Sequence, residues 1–107
     1  MSRQILEEYC RLICTDKDKC MELFSSDAEL LTHGGAKSLC LKGKEELLDY
    51  FVYIPPDLKF SILDYAESEG AAIAKVKIEG INLPQVKKTW RCFFKGNLIS
   101  KFEVLNE

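Results

Sequence analysis

A chain of 107 residues is long enough for one domain with a real core and needs no cross-links to hold it. Its 47% hydrophobic and 30% charged residues exclude a disordered or fibrous protein. A net charge of −2 gives no cationic field for nucleic acid or an anionic membrane. The five cysteines are odd in number, and the opening MSRQILEEYC turns charged before any apolar run. The expectation is reduced thiols in a cytoplasmic setting. No apolar stretch approaches the roughly 20 residues of a membrane span.

In SRQILEEYCRLIC the apolar residues Ile5, Leu6, Tyr9, Cys10, Leu12 and Ile13 recur at helical spacing and form one stripe. Glu7 and Arg11 add an i,i+4 pair on the other face. TDKDKCMELF restarts a helix that Thr15 or Asp16 caps, with Cys20, Met21 and Phe24 turned inward. A strand over Ala28 to Thr32 follows. HGGAKS is turn chemistry, because adjacent glycines tolerate positive φ, and a second strand covers Ser38 to Leu41. KGKEELLDYFVYI reads as a third helix, with Glu45 and Glu46 in the first turn where the dipole favours anions. Pro55 and Pro56 end it.

From Leu58 onward the period becomes two. AAIAKVKIEG sets Ala72, Ala74, Val76 and Ile78 on one face and Lys75, Lys77 and Glu79 on the other. VKKTWRCFFKGNLISKFEVL is two long strands joined at Lys95-Gly96-Asn97. The order ααββαββββ predicts one α+β domain over residues 1–107, with a curved, all-antiparallel sheet wrapped around the helices.

The segments LFSSDAELL, LKGKEELLDYF and FFKGNLISKFEVL, in that order, resemble the nuclear transport factor 2-like superfamily. Within it the chain is most similar to the SnoaL-like and ketosteroid isomerase-like branch. The resemblance implies a cone-shaped sheet that leaves a largely apolar cavity, a small apolar molecule as ligand, no cofactor, and a homodimer. In ketosteroid isomerases an aspartate near the end of the first strand moves the proton. A tyrosine on the first helix and a protonated acid on a later strand hold the oxyanion. Tyr9 falls where that tyrosine stands, Thr32 with His33 beside it where the base stands, and Trp90 where the second acid stands. Thr32 has no useful proton affinity near neutrality, and an indole does not titrate.

His33, the sole histidine, has an ordinary pKa of about 6.5 that suits a general base. The competing reading is a rim residue that closes a strand. Strand parity puts Trp90 and Cys92 on the cup wall, and Thr32, Phe51, Phe60 and Phe102 complete the expected pocket. Those same aromatic rings would plug the hollow in a protein built only to associate. Cys10 and Cys14 lie one helical turn apart but lack the paired spacing of a metal site, so no metal is expected. Lys75, Lys77, Lys87, Arg91 and Lys95 gather on the outer sheet face, where a dimer would need acidic partners such as Glu79 and Glu103.

Two functions follow. One is a small-molecule-binding domain with an apolar cavity, to which isomerase, dehydratase or cyclase chemistry is open through Tyr9 and His33. The other is a non-catalytic dimerisation or protein-association domain of the same fold, and behind both stands a third, a stress or accessory protein whose cavity binds its ligand without transforming it.

Overall fold

The N-terminal stripe folds as helix α1 over Ser2–Leu12 and buries Leu6, Tyr9 and Leu12. On its exposed side Arg3 pairs with Glu7 at 3.2 Å, and Arg11 pairs with Glu8 at 2.6 Å rather than with Glu7. The computed structural model describes residues 2–33, 39–68, 70–80 and 83–106, the side chains of Ser2, His33, Leu83 and Asn106 excepted. The expected Gly34-Gly35 turn lies outside the described residues.

Helix α2 is a single turn, Lys17–Met21, capped by Asp16, whose Oδ1 accepts from the Lys19 N–H at 3.1 Å. Phe24 already belongs to strand β1, which runs over Phe24–His33, four residues earlier than the apolar run suggested. Strand β2 is Leu39–Lys42 and α3 is Gly43–Phe51. Gly43 enters α3 at φ +85, a conformation that a side chain resists. No side chain of the preceding residue caps α3; the Glu46 carboxylate reaches back to accept from the Lys42 N–H at 3.0 Å. Strands β3 (Lys59–Ser68), β4 (Ala71–Gly80), β5 (Leu83–Lys95) and β6 (Leu98–Asn106) follow. The β5–β6 hairpin closes at Lys95-Gly96-Asn97 with Gly96 at φ +66.

The six strands form one curved sheet in the order β2-β1-β6-β5-β4-β3. The expectation of an all-antiparallel sheet is corrected at one join: β1 runs parallel to β6, and the other neighbours are antiparallel. The reason is physical. Connections of only two residues lead into β4, β5 and β6 and fix their directions, whereas β1 and β6 come from opposite ends of the chain, with no such connection between them. A period-two pattern buries the same side chains in either direction. The Ile99 N–H donates to the Leu23 carbonyl at 2.8 Å where β1 begins.

Register sets out the concave face. One row runs Leu39, Thr32, Val104, Trp90, Ala74, and the next runs Leu41, Leu30, Phe102, Cys92, Ala72. Helices α1 and α3 pack against the sheet and α2 packs against both of them, and Phe24, Phe51 and Phe102 are fully buried in the core. Each ring that leaves water in this way contributes about 1.5–3 kcal/mol. On the convex face, Arg91 donates twice to the buried Glu103 carboxylate, at 2.8 and 3.1 Å. Lys77 pairs with Glu79 at 3.4 Å and Lys95 with Asp27 at 3.8 Å. The outer acids thus answer bases of their own chain. Among the described residues no helix is long and apolar enough to cross a membrane.

Candidate functional site

Between α1, α3 and the concave face lies an apolar recess of about 200 Å3. Tyr9 reaches it from α1, Tyr50 and Phe51 from α3, Phe60 and Ile78 from β3 and β4, and Trp90, Phe102 and Val104 from β5 and β6. Leu30 completes the sheet wall, and Ile54 and Leu58 close the end beyond α3. This last segment is pinned from below. The Lys17 ammonium donates to the Ile13 and Ile54 carbonyls at 3.0 and 3.3 Å, and the Cys14 thiol meets the Pro55 carbonyl at 3.5 Å. The turn that carries Pro55 and Pro56 is therefore tied to the corner between α1 and α2.

Part of the hollow is filled by rings that pack on one another. The Tyr9 ring centroid lies 5.0 Å from Phe102, 5.3 Å from Trp90, 5.9 Å from Phe51 and 6.0 Å from Phe24. Its contacts with Trp90, Phe51 and Phe24 are edge-on, the geometry that the ring quadrupoles favour. Burial holds the Tyr9 hydroxyl neutral well above its ordinary value, and the nearby thiols of Cys20 and Cys10 add to the shift. At any ordinary pH this group is a hydrogen-bond donor and not a base.

Every fully buried side-chain oxygen or nitrogen among the described residues has a hydrogen-bond partner. Tyr9 lines the recess and is itself 3% exposed.

Of the residues singled out from sequence, Tyr9, Phe51, Phe60, Trp90 and Phe102 line one recess. Thr32 shares the concave row of Val104 and Trp90 but stands toward β2, where its Oγ1 accepts from the Leu39 N–H at 3.2 Å. Its hydroxyl stitches the strand pair. Cys92 sits one row deeper, fully buried, its thiol pushed up by burial; it is not among the lining residues. The backbone of His33 takes the next register position after Thr32, opposite Leu105, and its side chain lies outside the described residues.

The sequence reading missed Leu30, Tyr50, Ile54, Leu58, Ile78 and Val104. Ile78 carried a signal, because it continues the inward parity of Ala74 and Val76; Ile54 and Leu58 carried none, since they reach the recess from a segment outside any helix or strand. No carboxylate, imidazole, thiol or amine stands among the described lining residues. No group of described residues has the makings of a metal site.

The same fold recurs in solved structures. The chain superposes on a proposed isomerase from Bacillus subtilis with a TM-score of 0.84 at 15% identity, over 97% of this chain and 84% of that one. On a proposed polyketide cyclase from Sinorhizobium meliloti the TM-score is 0.77 at 20% identity, over 94% and 93%. On an NTF2-like protein of unknown function from Cytophaga hutchinsonii it is 0.78 at 11% identity, over 97% and 88%. The fold is therefore the nuclear transport factor 2-like cone. No protein-family model matches the sequence, and no curated protein matches it either.

Proposed function

We propose that the protein binds a small, uncharged, mostly apolar molecule through a single hydrogen-bond acceptor, and does so without transforming it. The observation that carries this reading is a mostly apolar recess of about 200 Å3 whose described polar side-chain groups are the Tyr9 and Tyr50 hydroxyls and the Trp90 indole N–H, the Tyr9 hydroxyl being held neutral by burial. Size narrows the ligand. Drug-sized ligands occupy pockets of about 300–1,000 Å3, whereas an engineered apolar cavity of about 150 Å3 takes benzene. The recess suits a substituted single ring.

Proton transfer needs an acid or base within about 3 Å of the reacting atom. At the positions where the resemblance expects them stand the Thr32 hydroxyl, used to hold β2, and the Trp90 indole, which does not titrate; His33, beside Thr32, has its side chain outside the described residues. Binding is thus better supported than isomerase, dehydratase or cyclase chemistry.

Acetophenone is a suitable probe, with one ring and one carbonyl. At about 0.5 kcal/mol per non-hydrogen atom its Kd is roughly 0.5 mM. Calorimetry on Tyr9→Phe is expected to show affinity reduced about 3- to 10-fold, the worth of one hydrogen bond. NMR of the mixture is expected to show the ketone unchanged. Equal affinity in Tyr9→Phe, or no binding to either protein, contradicts the reading.

A further inference from the structure

The recess does not stop at its own wall. Tyr50 lines it from α3 and also lines an open groove of about 410 Å3 together with Leu39, Leu41, Glu46, Asp49 and Tyr53. We infer that the groove is a second subsite of the same site: it takes an unbranched apolar tail on the ring bound in the recess, and it selects against a tail that ends in a carboxylate. This rests on the binding function proposed above and adds a ligand class to it, aryl ketones with a short neutral chain.

Register sets the strand residues of the two hollows in the same rows. Leu39 stands in the concave row of Thr32, Val104 and Trp90, and Leu41 stands in that of Leu30 and Phe102. Strand β2 thus extends the same apolar surface outward from the recess wall. Neighbouring strands are about 4.8 Å apart, so a tail of about four carbons crosses one strand spacing from the recess toward β2.

The groove is apolar where it is most open. Tyr53 is 85% exposed, Leu39 39% and Tyr50 37%, a concentration of large apolar side chains at one end of the molecule. The Tyr50 ring packs edge-on against Phe51 at 5.8 Å and stands between the two hollows.

Charge sets the second half of the selectivity. The described polar side chains of the groove, apart from tyrosine hydroxyls, are the carboxylates of Glu46 and Asp49. Glu46 is held in place by the Lys42 N–H. An anionic tail end meets two like charges there and no cation among the described lining residues.

The test compares acetophenone, hexanophenone and the phenyl ketone of equal chain length that ends in a carboxylate. Calorimetry on the whole chain reads each Kd, in the natural protein and in the double variant Leu39→Ser, Tyr53→Ser. Both substitutions lie on exposed side chains outside the recess. Four added methylenes, partly sheltered, are expected to tighten binding by about tenfold or more in the natural protein. The double variant is expected to cut that gain to about threefold or less while its acetophenone affinity stays within about twofold.

The carboxylate-ended ketone is expected to lose the gain, more so at low salt. If acetophenone binds but the chain adds nothing, the groove is not a subsite and the recess reading stands. A chain-length gain that persists in the double variant also overturns the inference. If neither neutral ketone binds, both readings fail together.

Discussion

Phe102→Ala removes the ring at the middle of the aromatic cluster and tests whether that cluster is the core. Phe102 is fully buried, with its centroid 5.0 Å from Tyr9 and from Trp90 and 6.2 Å from Phe24. Truncating a buried phenylalanine to alanine costs about 3–5 kcal/mol, from lost transfer energy and the void left behind. Three ring contacts vanish with it, and aromatic pairs are worth about 0.5–1.5 kcal/mol each beyond their area. The expected loss is therefore in the upper half of the range, about 4–5 kcal/mol. Against a total of about 5–15 kcal/mol for a domain of this kind, that leaves a marginal fold. The corresponding drop in Tm is roughly 20 °C.

Urea unfolding followed by the fluorescence of Trp90, the one tryptophan, reads the loss as a shift in midpoint at constant slope. The void opens into the recess, so benzene is expected to restore about 2.7 kcal/mol at a hundred times its Kd. A loss below about 1.5 kcal/mol, with no response to benzene, would refute the packing argument.

Two further predictions concern the thiols and a helix cap. Burial pushes the thiols of Cys10 and Cys20 up to about 12, and those of Cys14 and Cys92 upward as well, while Cys40 is exposed. A disulfide reagent at pH 8 is expected to label Cys40 quickly in the native protein and all five thiols in denaturant; fast labelling of a second native thiol contradicts this. The same shifts fix a pH dependence. A raised folded pKa means that the neutral thiol's contribution is complete below the ordinary value of 9.0 and is lost as pH rises toward about 12. Tm is expected to fall steadily above pH 9, and a flat profile to pH 11 would contradict it. Asp16→Ala removes the α2 cap and is expected to cost about 1 kcal/mol by urea titration, since its carboxylate satisfies the Lys19 N–H.

How much of this was legible depended on whether the signal was local. The amphipathic stripe of α1, the ten-residue alternation of β4 and the Lys95-Gly96-Asn97 turn are each written in adjacent residues, and the structure has them where the sequence put them. The parallel join of β1 and β6 is not local. It is decided by how the two chain ends meet, and alternation does not change when a strand is reversed.

The early start of β1 at Phe24 was obscured for another reason. Phe24 serves the core in a helix or a strand alike, and α2 is too short to show a period of its own. Tyr9 and Trp90 could be placed on inward faces from spacing. The role of Ile54 and Leu58 depends on Lys17 clamping a turn from 37 residues away, which no window along the chain reveals.

The central claim is that a small ring lodges against Tyr9 and Trp90 inside the cone. The indole N–H of Trp90 gives a single resonance in a 15N-labelled sample, because the chain holds one tryptophan. Titration with acetophenone is predicted to move that resonance and the amides of Ile78 and Val104 along one saturable curve, leaving Ile73 and Arg91 on the convex face still. An unmoved indole, or shifts spread evenly over both faces without saturation, would contradict it.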